Sequence, residues 1–569
     1  MRVLRASLLC VVTALGCGTP STGADAGAGG GAATGGGAAI GGGVATGGGG
    51  ATGGGATGGG AAGGGGGSGG GGADVDAGDV DAGNGDAGGV DAGDSDAGSI
   101  DAGEVDAGVS DAGVDAGQLD AGFDAGAMCS PATCPPTGVT CVTPVCTGNQ
   151  CDTANAPRGT ACTENGGTRC DGRGTCELCT NLCLQQVVCA DGGTTSLTGT
   201  VYLPNGIDPV PNALVYIPNG VVQAFTAGVT CLHCNAGVSG TPLVSTLTGA
   251  TGTFRLDDVP AGSNIPLVVQ TGRWRRQITV PTVAACGNTT VATASSRLPR
   301  NQSEGDIPRI AIVTGAFDPL ECVLRKMGVQ DIEFTPANST GRINLFTGTD
   351  NAGQTLSGAG TEAALFASVA SLNRYDLIVL PCQGQPLSRP VQTSINLRDY
   401  LNAGGRVLAE HFAYGYFYNF SPFSSVANWN TNQPTAFTVD PASATINTST
   451  AAGQTFSAWL VATGASTTAG LVQLKNLRRD FDGVVAPSTL WLSVNEPAFT
   501  TTSPLQFSFD TPVGVSAAQQ CGRVTFLDHH PGDQITTPAT FPSACPTGSS
   551  LTAQERVLEF TLLHLGSCL

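Results

Sequence analysis

The sequence predicts a multidomain chain. A disordered Gly/Ala/Asp-rich tether carries a cysteine-rich module, an antiparallel β-sandwich and a C-terminal α/β domain built on a parallel sheet. Three observations predict this. Many of the 86 glycines in 569 residues stand in the first quarter, interleaved with Ala, Thr and Asp. Eleven cysteines crowd between Cys129 and Cys189. After Arg309, short apolar runs alternate with helix-patterned segments, which is how a parallel sheet covered on both faces reads.

Residues 1–16 place Arg2 and Arg5 ahead of a short apolar run, the pattern of an export signal and too short for a permanent span. Ala14-Leu15-Gly16-Cys17 resembles the bacterial lipobox. That resemblance implies lipidation at Cys17. Because Gly18 is not aspartate, it also implies anchoring to the outer membrane, on its periplasmic or cell-surface face. Residues 17–128 follow as a spacer, first Gly/Ala/Thr and then a repeat closing on Asp-Ala-Gly, with Asp76, Asp81 and Asp86 setting the five-residue period. Neither style has the apolar surface to offset the entropy of ordering it. A flexible chain of about 110 residues has a root-mean-square reach of roughly 60 Å. The period does not fit the nine-residue calcium β-roll. Much of the net charge of −20 sits in this tract and describes a tail, and an acidic chain argues against a nucleic-acid partner.

Export sets the redox state. Nineteen of the 21 cysteines lie beyond Cys10 and Cys17, and in an oxidising compartment they read as disulfides, with an odd thiol left over. Residues 129–189 have too few large apolar side chains to form a core by burial, so covalent bridges must substitute. Cys176, Cys179 and Cys183 have spacing that zinc can use, as do Cys231 and Cys234 in CLHC, but export favours disulfides. For CLHC the expectation is a bridge that clips a loop.

Residues 190–300 carry short β-prone runs between Pro, Asn and Gly turns, as a sandwich requires. Gly199-Thr200-Val201, Asn212-Ala213-Leu214-Val215, Thr251-Gly252-Thr253-Phe254 and Asp258-Val259-Pro260-Ala261-Gly262 resemble, in that order, the carboxypeptidase regulatory-like domain. That is a transthyretin-like sandwich, usually non-catalytic, with a carbohydrate-binding-like fold. Cys189 and Cys286 flank the segment and are placed to clip it. Arg273, Trp274, Arg275 and Arg276 form the one basic cluster, a candidate for binding an anionic glycan or for guarding a sheet edge.

Residues 305–569 supply the strand RIAIVTG and then a helix for which Asp318, Pro319, Glu321 and Gly328 read as cap, first turn, capping box and stop. An Ala-rich helix near 361–372, the strand YDLIVLPC, a helix near 392–402, the strand GRVLAEH, an insertion over about 418–515, the strand GRVTFLDHH and a helix opened by Thr552 and Glu555 complete the pattern. Tyr375-Asp376-Leu377-Ile378-Val379-Leu380, the run from Leu401 to Leu408, and Gly522-Arg523-Val524 resemble the class I glutamine-amidotransferase-like fold, in its trehalose-utilisation-type branch. The resemblance implies a flavodoxin-like α/β sheet. The place of that family's nucleophilic cysteine is held by Ala409-Glu410-His411-Phe412, so glutamine hydrolysis is not expected, and nothing matches a tryptophan synthase.

Ligands of open parallel sheets sit outside the carboxyl ends of the strands. Cys382, Glu410, His411, Asp528, His529 and His530 all fall at such ends and are the candidate catalytic residues. A Cys382–His–Glu410 nucleophilic site and a metal held by His411, His529 and Asp528 are both conceivable. So is a Cys322–Cys382 disulfide that would remove the nucleophile. Adjacent His529 and His530 must face opposite ways if the strand continues. No bound metal or cofactor is assigned. The leading expectation is a lipid-anchored envelope protein with non-catalytic binding or scaffolding domains and a glycan or envelope polymer as partner. The alternative is a secreted hydrolase or sugar-modifying enzyme.

Overall fold

The computed structural model describes residues 129–567 except 235–236, 433–439, 496–501, 533–538, 547 and 549. The export signal, Cys17 and the tether lie outside the described residues. The described residues belong to one compact unit. Among them, no helix is long and apolar enough to cross a membrane.

Where apolar side chains are scarce, sulfur holds the chain. The cysteine-rich segment contains the bridges Cys129–Cys146, Cys134–Cys151, Cys141–Cys170, Cys162–Cys176 and Cys179–Cys183. The expected clip Cys189–Cys286 is present. CLHC does not close on itself: Cys231 bonds Cys521, 290 residues away. Cys234 is also disulfide-bonded. Cys322 pairs with Cys545 and not with Cys382, and Gln354 Nε2 lies against both bridged sulfurs (3.1 and 3.3 Å). Cys382 is buried and free.

Residues 190–300 form two facing sheets. One holds Leu214–Pro218, Pro242–Leu247, Gly262–Thr271 and Trp274–Val283, all antiparallel. The other places Ser196–Thr200 between Thr253–Leu256 and Asn288–Thr290. Its Asn288–Thr290 pairing is parallel, a departure from the all-antiparallel expectation.

The larger sheet is mixed. Phe334–Thr335, Ile343–Thr347, Ile310–Thr314, Leu377–Leu380, Arg406–Glu410 and Gly522–Leu527 stand side by side, each parallel to the next. The insertion then adds Thr502–Thr511, Thr489–Asn495, Ala442–Ile446 and Leu471–Leu474 as antiparallel neighbours. It extends the sheet instead of standing apart, because Thr502–Thr511 is buried nearly throughout and needs a paired strand on each side.

The helices follow their caps. Thr552 and Glu555 form the expected capping box of Ala553–Gly566. Residues 361–372 give two short helices, Glu362–Leu365 and Val369–Leu372, because the Ser368 hydroxyl accepts from Ser371 N and starts the second. Asp318 is no cap: it stands at φ +57°, and its carboxylate turns to His530 and Gly532.

The sandwich and the α/β layers share one apolar core, running from Val215 and Ile265 through Ile310 and Leu324 to Leu558. Ion pairs Arg273–Asp376 (3.2 Å) and Arg556–Asp208 (3.1 Å) cross the seam, and Trp459 Nε1 donates to Pro209 O at 2.7 Å. Gly328 is at φ +99° where a Cβ would fall 2.2 Å from Asn205 N, so only glycine lets the two layers meet here. Gly328→Ala is expected to cost at least about 1 kcal/mol. A denaturant melt should show one cooperative transition shifted as a whole; a separate early transition would contradict a shared core.

His564, on the last helix, stacks on Phe560 and meets Trp491 edge-on. Arg523 Nη1 lies 3.3 Å from His564 Nε2, and since arginine can only donate, that nitrogen must accept. Burial, then the Arg523 charge, hold the imidazole down at about 3 from 6.5. Below 6.5 the unfolded chain takes a proton that the fold refuses, so stability falls from there and levels off near 3. In urea melts at pH 7 and 4.5, His564→Gln should lose stability less steeply than wild type. An equal loss would contradict the assignment.

Candidate functional site

Three neighbouring parallel strands deliver the site. Leu377–Leu380 ends two residues before Cys382, Arg406–Glu410 runs directly into His411, and Gly522–Leu527 leads into Asp528, His529 and His530. His411 sits at φ +40°, at the turn from strand to the 3-10 helix His411–Tyr416. A non-glycine residue there costs roughly 1–3 kcal/mol, so the surroundings must hold it.

The structure gathers Cys382, His411 and His530: Sγ and one ring nitrogen of each histidine lie within 4.8 Å of one another. The rings meet edge to face at 5.2 Å. His411 Nδ1 lies 2.8 Å from Asp480 Oδ2. His530 Nδ1 lies 2.5 Å from Asp318 Oδ2 and 3.1 Å from Glu410 Oε1. Asp528 Oδ2 accepts from Asp480 N at 2.6 Å and so fixes the carboxylate that holds His411. Phe412 stacks on His411 and Phe317 on His530. His529 joins none of this: neither of its ring nitrogens has a hydrogen-bond partner.

Every member is inside. Cys382, Glu410, His411, Asp528, His529 and His530 are at most 2% exposed, as is Asp318, and Asp480 is 4% exposed. Burial therefore dominates the electrostatics. It pushes the Glu410 carboxyl well above the usual range, reinforced by Asp318, and does the same to Asp528, reinforced by Asp480. It holds His411 low against the opposing pull of Asp480, and His529 down at about 4. Burial and then the Glu410 charge push the Cys382 thiol up. A nucleophilic cysteine needs the reverse, a lowered pKa in an accessible electropositive setting.

Asp318 and Asp480 escaped the sequence. Asp318 stands before Pro319, where it reads as a helix cap. Asp480 lies in the insertion, within a polar run that carries no pattern. Next along the sheet edge is a further buried carboxylate, Glu362. It accepts from Thr349 N (3.0 Å) and Gln383 Nε2 (2.8 Å), pairs with Arg389 (2.8 Å) and receives the Tyr416 hydroxyl.

The basic cluster is engaged within the protein. Arg273 pairs with Asp376 and donates to Thr226 O, Arg275 pairs with Asp306 (2.8 Å) and lies over Phe225, Arg276 donates to Ala294 O, and Trp274 is buried. A recess of about 530 Å³ lies elsewhere, lined in part by Asn205, Arg325, Lys326 and Asp331.

No family model and no curated protein matches the chain. Solved structures with similar stretches include a cytoplasmic protein from Salmonella typhimurium, at 14% identity and TM-score 0.26, covering 45% of this chain and 98% of that one. Others are a ThuA-like protein from Bacteroides uniformis (9%, TM-score 0.26, 45% and 91%) and a GMP synthase subunit from Thermoplasma acidophilum (9%, TM-score 0.25, 45% and 92%). Likeness at this level decides nothing about activity.

The burial yields a direct test. Maleimide should leave Cys382 unlabelled in the native protein and label it in denaturant, as read by peptide mapping. Rapid native labelling would contradict a closed site.

Proposed function

We propose that this chain is an exported, lipid-anchored envelope protein whose folded part is a rigid, non-catalytic binding or scaffolding body. The observation that carries the reading is the complete burial of all six candidate catalytic side chains, with the thiol pushed away from its reactive form. The eight described disulfides support an oxidising, extracytoplasmic setting. The Cys231–Cys521 bridge fastens the sandwich insertion to the α/β layers, as suits a body displayed at a distance from a membrane. Its partner, on this reading, is a glycan or envelope polymer met at the outer surface of the body. The amidotransferase-like sheet serves as scaffold without that fold's nucleophile.

The test has two arms. In cells that export the full chain, Cys17→Ala should move the protein from the membrane fraction to the soluble one, while the purified chain co-sediments with insoluble cell-envelope polymer. Turnover of a glycoside or ester that disappears in Cys382→Ser would overturn the non-catalytic reading. Unchanged membrane association of Cys17→Ala would overturn the anchor.

A further inference from the structure

Cys382 raises a question that the scaffolding reading leaves open. It is the free thiol among the described cysteines, the others of which are disulfide-bonded, and it is buried beside two imidazoles. In each ring the carboxylate partner takes Nδ1, Asp480 on His411 and Asp318 on His530. Nε2 of each ring is then the nitrogen left for another partner. Carboxylate–histidine pairs of this kind fix the tautomer and aim the remaining nitrogen as a ligand.

The second observation is Glu410. Two buried glutamates stand on the same sheet edge. Glu362 is surrounded by donors, whereas Glu410, 0% exposed, has the Asp318 side chain as a hydrogen-bond partner. Its Oε1 is 3.1 Å from the same His530 nitrogen that Asp318 holds. Asp318, Asp480 and Asp528 are buried as well. The cluster therefore has ligand atoms of the right type within reach of one another, on imidazoles held in place from behind.

We propose that Cys382, His411 and His530 hold a zinc-class divalent transition ion, with Asp480 and Asp318 as the residues that position the two imidazoles. One thiolate and two imidazoles suit zinc, and a fourth position falls to oxygen. On binding, the Cys382 thiol gives its proton to solvent and both imidazoles ligate in the neutral form. The ion ties three adjacent strand ends together at a place with no disulfide. This goes beyond the scaffolding proposal and does not rest on it.

The experiment uses the untagged full chain, stripped with chelator and reloaded with Zn²⁺ or Co²⁺. The expected result is one ion retained per chain. Zinc-edge absorption should give one sulfur at about 2.3 Å and nitrogens at about 2.0–2.1 Å. The Co²⁺ form should show a thiolate charge-transfer band that Cys382→Ser loses and His529→Gln keeps. Asp480→Asn, which leaves all three ligands in place, should weaken zinc affinity by about 10–100-fold. Failure to retain an ion, a shell without sulfur, or a band that persists in Cys382→Ser would overturn the site. Unchanged affinity in Asp480→Asn would overturn the positioning role. If Cys382→Ser does not fold, the wild-type absorption spectrum still decides.

Discussion

A protein interior tolerates ionisable groups only when each is neutralised, paired or bound to a cation. That constraint organises the end of the large sheet, where Asp318, Glu410, Asp480, Asp528, His411, His529, His530 and Cys382 are all buried. The two carboxylates that hold Nδ1 of His411 and His530 arrive from outside the strands: Asp318 from the loop after Ile310–Thr314, Asp480 from the insertion. Asp318 adopts a positive φ and gives up capping its helix to do so. His411 accepts a strained backbone at the elbow. Local preferences thus yield to the polar interior at two places, and that interior joins segments far apart in sequence.

The rest of the unit is built to keep this region closed. Thr502–Thr511 covers the outer side of the last parallel strand and shifts the sheet's free edge to Leu471–Leu474. The sandwich shares its core with the helices instead of hanging from a linker, and Cys231–Cys521 makes the joint covalent. The polar cluster is closed, with none of its side chains at the surface. The scaffolding proposal and the metal proposal are compatible for that reason, though each fails separately.

Much of the architecture was legible because it is local. Ile310–Thr314, Leu377–Leu380 and Arg406–Glu410 are built on the short apolar runs IAIV, LIVL and VLA, so the strands and the residues at their carboxyl ends could be read directly. The capping box of the last helix and the Cys189–Cys286 clip were legible for the same reason. What could not be read depends on distance in sequence. The Cys231–Cys521 bridge spans 290 residues and Cys322–Cys545 spans 223, and no spacing rule reaches so far. Asp318 satisfied a local rule that the fold did not use. Asp480 satisfied none. The choice between His529 and His530 was narrowed by strand alternation to one of the two, and the identity of that one required the carboxylate behind it.

The central claim is that the space between Cys382 Sγ and the two imidazoles is a ligand shell and not a hydrogen-bonded packing arrangement. The most direct measurement is anomalous diffraction above and below the zinc edge, on crystals of the full chain grown with equimolar zinc. The account predicts one strong peak within bonding distance of Cys382 Sγ, His411 Nε2 and His530 Nε2. An absent peak, with the thiol instead hydrogen-bonded to an imidazole, would contradict it.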